Sequence, residues 1–480
     1  MNRKELSSAL KKLGIKRGSI VMLHSSYVGL EPMEGGPDAV VDAFLDAVGP
    51  TGTLMVPAFG SLGIIAEMVK ARPNAVFSPC PRGTIAAIGP KAEEIARDHW
   101  KAPTAHGEGT PFTRLRDLDG YICLLGVDED RNTTLHSIEA LLELPYLNDT
   151  TATFKTPDGK EHTKTWKYYP GPHRNFIGLE RYMRHEGIIK IGRINNAMVR
   201  LIKVRDMFDL MLEIGEHDPA FALCDNPACA DCVKQRAAIF AAGIAKENFK
   251  LTASSRLAGR YLPEMVENLK AAGIQYLELD YLQGHACAKM TAEKLKKAVD
   301  ELAEEGIGVS GLRLFYLPGD PEDIAKLAKA AGIGRIIVPL GENAADVVKA
   351  AKAAKLEIAF TNNGQGGVLA AATIKAAAKG YQGARLALNP PGFVRATEFP
   401  FLASYKKGRL IRICGQLDLA DATWDGAATR LAQGNGEVKE LLSILRCETF
   451  SGWVSLGGGA AYPGSLTDAA NELAMLLENM

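Results

Sequence analysis

Ser19-Ile20-Val21-Met22-Leu23-His24, Gly35-Gly36-Pro37 and Thr53-Leu54-Met55-Val56-Pro57 decide the fold of the first half of this chain. The first and last runs are apolar and short enough to be buried strands. Between them, Pro37 opens a helix whose Val40, Val41, Phe44, Leu45 and Val48 share one face, and Gly49-Pro50 ends it. Strand, crossover helix and strand in that order imply a parallel pair, hence an α/β domain. Amides left free at the helix start after Gly35-Gly36 suit phosphate oxygens, although most double glycines are plain turns.

Working outward, Thr151 to Trp166 alternates polar and apolar residues around Asp158-Gly159, the pattern of a β-hairpin. A helical stretch is predicted from about Asn196 to Glu213. From Phe249 onward, eight short apolar segments begin near 249, 276, 308, 335, 356, 384, 410 and 452, each followed by a helical pattern such as Met290 to Glu305 or Pro321 to Ala331. The mean spacing of about 29 residues is that of one strand-helix unit, and eight near-equal units favour a closed (β/α)8 TIM barrel over an open doubly wound sheet. The expected domains are therefore 1–245 and 246–480.

Composition narrows the function classes. With 480 residues, of which 47% are hydrophobic, the chain can bury two cores. Its 56 basic and 56 acidic residues cancel, which removes a general electrostatic reason to expect nucleic acid or an anionic membrane as partner. The start, Met1 to Gly14, has an amphipathic helix pattern rather than the apolar run of a secretory signal, and no segment of about 18 uncharged apolar residues occurs. A cytoplasmic location is expected, and oligomeric state, a homo-oligomer included, stays open.

Asn132-Thr133-Thr134-Leu135-His136-Ser137-Ile138-Glu139 carries the strongest chemical signal. It sets His136 and Glu139 three residues apart at the start of a predicted helix, on one face. The field of a helix N-terminus disfavours extra positive charge and keeps His136 neutral, able to accept a proton near pH 7, with Glu139 to orient it. Leu135, Ile138 and Leu142 form the apolar stripe, which puts this pair on a flanking face.

The segment resembles the asparagine-threonine-x-x-histidine-x-x-glutamate signature of the aminoglycoside 3-N-acetyltransferase family. Val21 to Tyr27, Glu34 to Pro37, Gly49 to Phe59, Ser78 to Gly89, Gly107 to Leu115 and Leu118 to Val127 follow that family's blocks in order, over roughly residues 5 to 215. The resemblance implies an acetyl-CoA-dependent N-acetyltransferase, with Ser25, Ser26 and Thr84 lining the pantetheine and thioester of the coenzyme. It implies an amine or amino-sugar acceptor, for which Glu31, Glu34, Glu108 and Asp128 to Asp130 offer an acidic cleft. Where the family carries an arginine and a histidine-proline pair, this chain has Phe77 and Cys80-Pro81, so the anion-binding role of that arginine is either lost or passes to Arg82.

The other histidines are read more plainly. His24 lies inside an apolar run and is expected to be a buried core residue, His99 and His106 fall in polar loops without an assigned role, and His173 is read as a turn residue that can also face the substrate. Eight cysteines are too sparse for a disulfide scaffold in so long a chain. Cys224, Cys229 and Cys232 with His217 offer a tetrahedral zinc set, against a reduced polar loop as the plainer alternative, because only one CxxC pair is present.

The second half resembles xylose-isomerase-like sugar-phosphate isomerase and endonuclease barrels through Tyr276-Leu-Glu278-Leu-Asp280, Gly308 to Leu314, Gln416 to Asp421 and Gly452 to Gly457. Such barrels hold divalent metal with Glu, Asp and His at strand ends. Here the ends read Phe360-Thr-Asn362-Asn363-Gly364, Leu388-Asn389-Pro-Pro, Cys414-Gly-Gln416 and Leu456-Gly457-Gly458, nearly without anionic groups, and His285 alone cannot rebuild a metal site. No metal is expected, and Asn362, Asn363, Asn389 and Gln416 are left to hydrogen-bond sugar hydroxyls or to serve as polar loop ends. Two rivals stand beside the acetyltransferase: a sugar isomerase or epimerase acting through the barrel, and a non-catalytic carbohydrate-binding protein. A fused sugar-isomerase-like barrel suits a cell's own amino-sugar metabolism better than dedicated antibiotic resistance.

Overall fold

The computed structural model describes residues 1–480 except 61, 172, 318, 342, 364–382 and 408–409. Of the strand-end residues read above, Gly364 lies outside the described residues. The chain forms two compact units, Met1–Gln235 and Arg236–Met480. Among the described residues, no helix is long and apolar enough to cross a membrane.

The first unit is built on a seven-stranded sheet. Its strands are β1 (Ile20–Ser25), β2 (Thr53–Pro57), β3 (Val76–Phe77), β4 (Ile85–Ile88) and β5 (Tyr121–Leu125). After the hairpin β6 (Asn148–Lys155) and β7 (Glu161–Tyr168) come β8 (Ile189–Ile194) and β9 (Ala197–Lys203). The spatial order is β3-β4-β2-β1-β5-β9-β8. The three central strands are parallel, with Val21 beside Leu54 on one side and Tyr121 on the other. Both flanks are antiparallel. Residues Ile20 to His24 are all buried, as expected of a central strand covered on both faces. The crossover helix Gly36–Val48 buries Val40, Val41, Phe44 and Val48 as predicted. Helix Arg3–Leu13 buries Leu6 and Leu10, and Asn2 and Glu5 close a reciprocal capping box at its start, an arrangement that stabilises a helix by about 1 kcal/mol.

The helix predicted over Asn196–Glu213 is corrected. Residues 197–203 are strand β9, and the helix is Val204–His217. Ala-Met-Val-Arg-Leu-Ile-Lys alternates in burial, and a left-handed turn at Asn195 lets β9 fold back antiparallel on β8.

In the second unit eight parallel strands close into a barrel. In order they are Lys250–Ser254, Tyr276–Leu279, Gly308–Arg313, Arg335–Pro339, Glu357–Thr361, Arg385–Leu388, Cys414–Leu419 and Trp453–Leu456. Seven begin within about a residue of the predicted starts. The seventh begins at Cys414 rather than near 410, because Leu410–Ile413 first makes a 3-10 turn. Helices such as Ala292–Glu304 and Pro321–Ala330 stand between strands.

The barrel interior overturns the reading of its strand ends as nearly free of anionic groups. Glu278, Asp280 and Asp418 are all buried there. Arg313, itself 1% exposed, donates to Glu278 at 2.5 Å and to Asp418 at 2.5 Å, and Gln416 donates to both carboxylates at 2.7 Å. Asp280 takes bonds from Ser254, Ser255 and Arg256. The amides offered to sugar hydroxyls are also committed inward. The Asn362 side chain donates to the Asn389 carbonyl and accepts from its backbone N–H, the Asn389 side chain reaches Asp418 and Gly458, and Asn363 joins Gly459 and Arg395. Polar groups at these strand ends were free to look outward in the sequence, but burial forces them to satisfy one another.

Arg313 thus compensates two buried carboxylates. Replacing it with leucine should destabilise the protein by about 3–5 kcal/mol, since the loss of one partner strands buried charge. The midpoint of urea unfolding checks this, and an unchanged midpoint would contradict the pairing.

Candidate active site

A cleft of about 1170 Å3 opens at the carboxyl ends of β1, β2 and β5. Ser25 and Ser26 follow β1, Pro57 and Phe59 end β2, and Gly126 to Asp128 continue β5 along its wall. A crevice at this edge of a parallel sheet is where such folds bind ligands. Gly126 is required by space: a Cβ there would stand 2.9 Å from the Ser26 carbonyl oxygen, in a left-handed backbone at φ 69°.

His136 opens the short helix His136–Leu141, after a 3-10 turn over Thr133–Leu135. It is 8% exposed and lines the cleft. Its Nδ1 lies 2.5 Å from Oε2 of Glu139. The other carboxylate oxygen, Oε1, accepts from the Tyr146 hydroxyl at 2.7 Å and from Arg174 Nε at 2.5 Å. The Tyr169 ring stacks on the imidazole, with centroids 3.4 Å apart and planes 4° from parallel. Rotation of the imidazole is therefore fixed by Glu139 and its plane by Tyr169, and Nε2 is the ring nitrogen left for the cleft. Hairpin β6–β7 delivers Tyr169 just after its second strand.

Glu139 is not on a flanking surface, as the stripe of Leu135, Ile138 and Leu142 implied: it is wholly buried, while Leu142 is only partly so. A helix of six residues is too short for its periodicity to set burial. The titration of the pair follows from this placement. Burial pushes His136 down, and the opposing attraction of Glu139 does not restore it, so the imidazole stays below its ordinary value. Burial pushes Glu139 up, but His136 and Arg174 outweigh it and hold the carboxyl below its ordinary value. The result is a neutral imidazole on an ionised, fully bonded carboxylate.

The remaining residues sort by place. Ser25 and Ser26 line the cleft, as do Asp128 and Asp130. Thr84 is not among the lining residues, and its hydroxyl donates to the Cys80 carbonyl. Gly35, Gly36, Glu31, Glu34 and Glu108 are also absent from the lining, and Glu108 pairs with Arg116. Phe77 is exposed and Cys80 is buried, and neither they nor Arg82 line the cleft. Glu129 turns inward to Asn132, where burial pushes its carboxyl up to about 7. His99 and His106, expected in polar loops, are both buried: His99 bonds Ser78 and the Ala105 carbonyl, and His106 stacks on Phe112. His24 is buried at the cleft floor, as its apolar run foretold. His173 stands beside Cys229 and Cys232, whereas His217 is exposed and bonds the Glu213 carbonyl. Tyr146, Tyr169 and Arg174 were not singled out from sequence. Arg174 lies 35 residues from Glu139, a separation no local pattern links, although it follows His173 directly in the loop already noted.

The comparisons with known proteins point one way. The family model described as Aminoglycoside 3-N-acetyltransferase matches residues 22–215. Aminoglycoside N(3)-acetyltransferase IV of Salmonella sp is 32% identical over 237 residues, covering 46% of this chain and 89% of that protein. An aminoglycoside N(3)-acetyltransferase III of Salmonella sp is 30% identical over 239 residues, with 42% and 82% covered. The crystal structure of aminoglycoside acetyltransferase AAC(3)-IVa as apoenzyme matches at 30% identity and a TM-score of 0.46, over 50% of this chain and 97% of that one.

Burial also predicts acid sensitivity. It pushes His24 down to about 3 and His99 to about 4, and lowers His106 and His136 too. Unfolded imidazoles near pH 6.5 take up protons that the folded state refuses, so the stability these groups confer is present above that pH and lost below it. Raised Glu129 works in the opposite direction, because its folded form holds a proton the unfolded chain has shed. The raised carboxyl of Asp418 opposes them as well, so with four groups against two stability should fall by up to about 3 kcal/mol for each pH unit below about 6. Urea midpoints measured between about pH 7 and pH 5 test the sign, and a flat profile would refute it.

Proposed function

The chain belongs to the aminoglycoside 3-N-acetyltransferase family, whose members are acyltransferases using acetyl-CoA, and from that premise we propose that its first unit acetylates an amino group of an aminoglycoside or amino-sugar-like acceptor. The observation that carries the reading is the His136–Glu139 pair at the cleft. In this proposal the lone pair of the neutral acceptor amine forms the new bond to the thioester carbonyl carbon while His136 Nε2 takes one proton from the same nitrogen. Glu139 stabilises the imidazolium that results. As the carbon–sulfur bond breaks, the same proton returns to the departing thiolate, giving an amide and a free thiol, with no covalent enzyme intermediate. Tyr146 and Arg174 act as positioning residues through Glu139. Ser25 and Ser26 are proposed to meet the pantetheine amides, and Asp128 and Asp130 to attract the cationic acceptor.

For the second unit we propose a (β/α)8 barrel of the xylose-isomerase-like type that has given up metal chemistry. Support comes from the engagement of Glu278, Asp280 and Asp418 with Arg256 and Arg313, which occupies carboxylate oxygens that a metal would need. Metal-dependent sugar isomerisation by the purified protein would refute this.

Thiol release from acetyl-CoA with a panel of amines tests the transfer. His136→Ala should lower kcat about 10²- to 10⁴-fold while leaving coenzyme binding intact. Glu139→Gln should lower kcat and shift its pH profile, since the imidazole loses its anionic partner. Undiminished turnover in His136→Ala would overturn the base assignment.

A further inference from the structure

The loop that supplies Arg174 is bordered by a cluster that the acyl transfer does not use. His173, Cys224, Cys229 and Cys232 each turn one ligand atom to a common point, and these atoms all lie within 4.8 Å of one another. It is the one such cluster of metal-ligating groups among the described residues. Nδ1 of His173 stands 3.3 Å from Cys229 Sγ and 3.4 Å from Cys232 Sγ. With zinc–sulfur bonds of about 2.3 Å and zinc–nitrogen bonds of about 2.0–2.1 Å, a tetrahedron has edges of roughly 3.6 Å between nitrogen and sulfur and 3.8 Å between sulfurs. The two nitrogen–sulfur separations are close to the first of those edges, and the remaining ones lie within 4.8 Å.

We propose that these four residues form a structural zinc site. Three soft sulfur ligands and one imidazole select zinc over hard cations, and four protein ligands close the coordination sphere, which is the pattern of a structural centre rather than a catalytic one. Groups that would orient the ligands are in place. The Cys224 backbone N–H points at Cys232 Sγ at 3.4 Å, and Asp231, between the paired cysteines, accepts from the His173 backbone N–H at 3.3 Å. Asp231 also packs so tightly under Gly171 that a Cβ there would meet its Oδ1 at 2.5 Å. The histidine comes from a segment some fifty residues before the cysteines, so the metal closes a long loop in the chain. This replaces His217, the partner suggested by sequence spacing, which faces solvent.

The centre takes no part in the chemical step of the transfer, but it bears on the residues that do. Arg174 Nη1 donates to the His173 carbonyl at 2.6 Å, and Gln235 holds the Pro170 carbonyl at 3.2 Å. Zinc on His173 fixes the residue next to Arg174, and Arg174 fixes Glu139. Metal at this corner therefore positions the imidazole without touching substrate.

Metal analysis of the untagged, full-length protein purified without chelator should find one zinc per chain. Cys229→Ser/Cys232→Ser and His173→Ala should lose it, and His217→Ala should keep it. If the double cysteine variant does not fold, cobalt exchanged into the wild-type protein should give the thiolate charge-transfer and intense ligand-field absorption of a tetrahedral sulfur-rich site. Zinc at background that is not restored by added zinc, zinc retained without both cysteines, or a Cys229–Cys232 disulfide in the non-reduced protein would each overturn the proposal. Loss of zinc in His217→Ala would overturn the choice of histidine.

Discussion

The buried carboxylate of Glu139 is the constraint on which the candidate site depends. A bare carboxylate out of water costs several kcal/mol, and here that cost is offset by three hydrogen bonds arriving from separate stretches of chain. His136 comes from the same helix, Tyr146 from the turn that follows, and Arg174 from beyond the hairpin. Each partner must be where it is for the charge to be tolerated. Folding of the first unit and alignment of the imidazole are thus one requirement, and the ring inherits the rigidity of the core while keeping one nitrogen toward the cleft.

The second unit solves a similar electrostatic problem to a different end. Arg313 bridges Glu278 and Asp418, one positive charge against two negative, and Gln416 takes up further acceptor capacity. In the first unit the carboxylate network ends on a group that can still exchange a proton at a cleft. In the barrel it ends on a guanidinium, which does not titrate in any ordinary range. The two networks share an economy of buried charge, but only one presents a reactive atom.

How much of this was legible follows from the range of the interactions involved. The parallel strands, the crossover helix, the hairpin at Asp158-Gly159 and the rhythm of barrel strands are local patterns, and the chain displays them directly. The reading of residues 196–213 failed where a short alternating strand runs straight into a true helix and the two periods blur. His136 and Glu139 were visible because a helical turn separates them. Arg174 and Tyr146 were not, since their role is set by tertiary contact. For Asn362, Asn363, Asn389 and Gln416 the sequence leaves sugar-binding amides and polar loop ends as equal alternatives for a related reason: residue type fixes the capacity to bond, while burial decides the partner.

The order of the seven-stranded sheet carries a further implication for behaviour in concentrated solution. An open sheet has two outer strands with unpaired backbone groups, a template on which other chains can add. One rim here, β3, is only two residues long, too short to nucleate a lasting intermolecular ladder. The other, β8, turns Lys190 and Arg193 to solvent, so an incoming copy would bring like charge against like. The barrel, closed on itself, has no rim to guard.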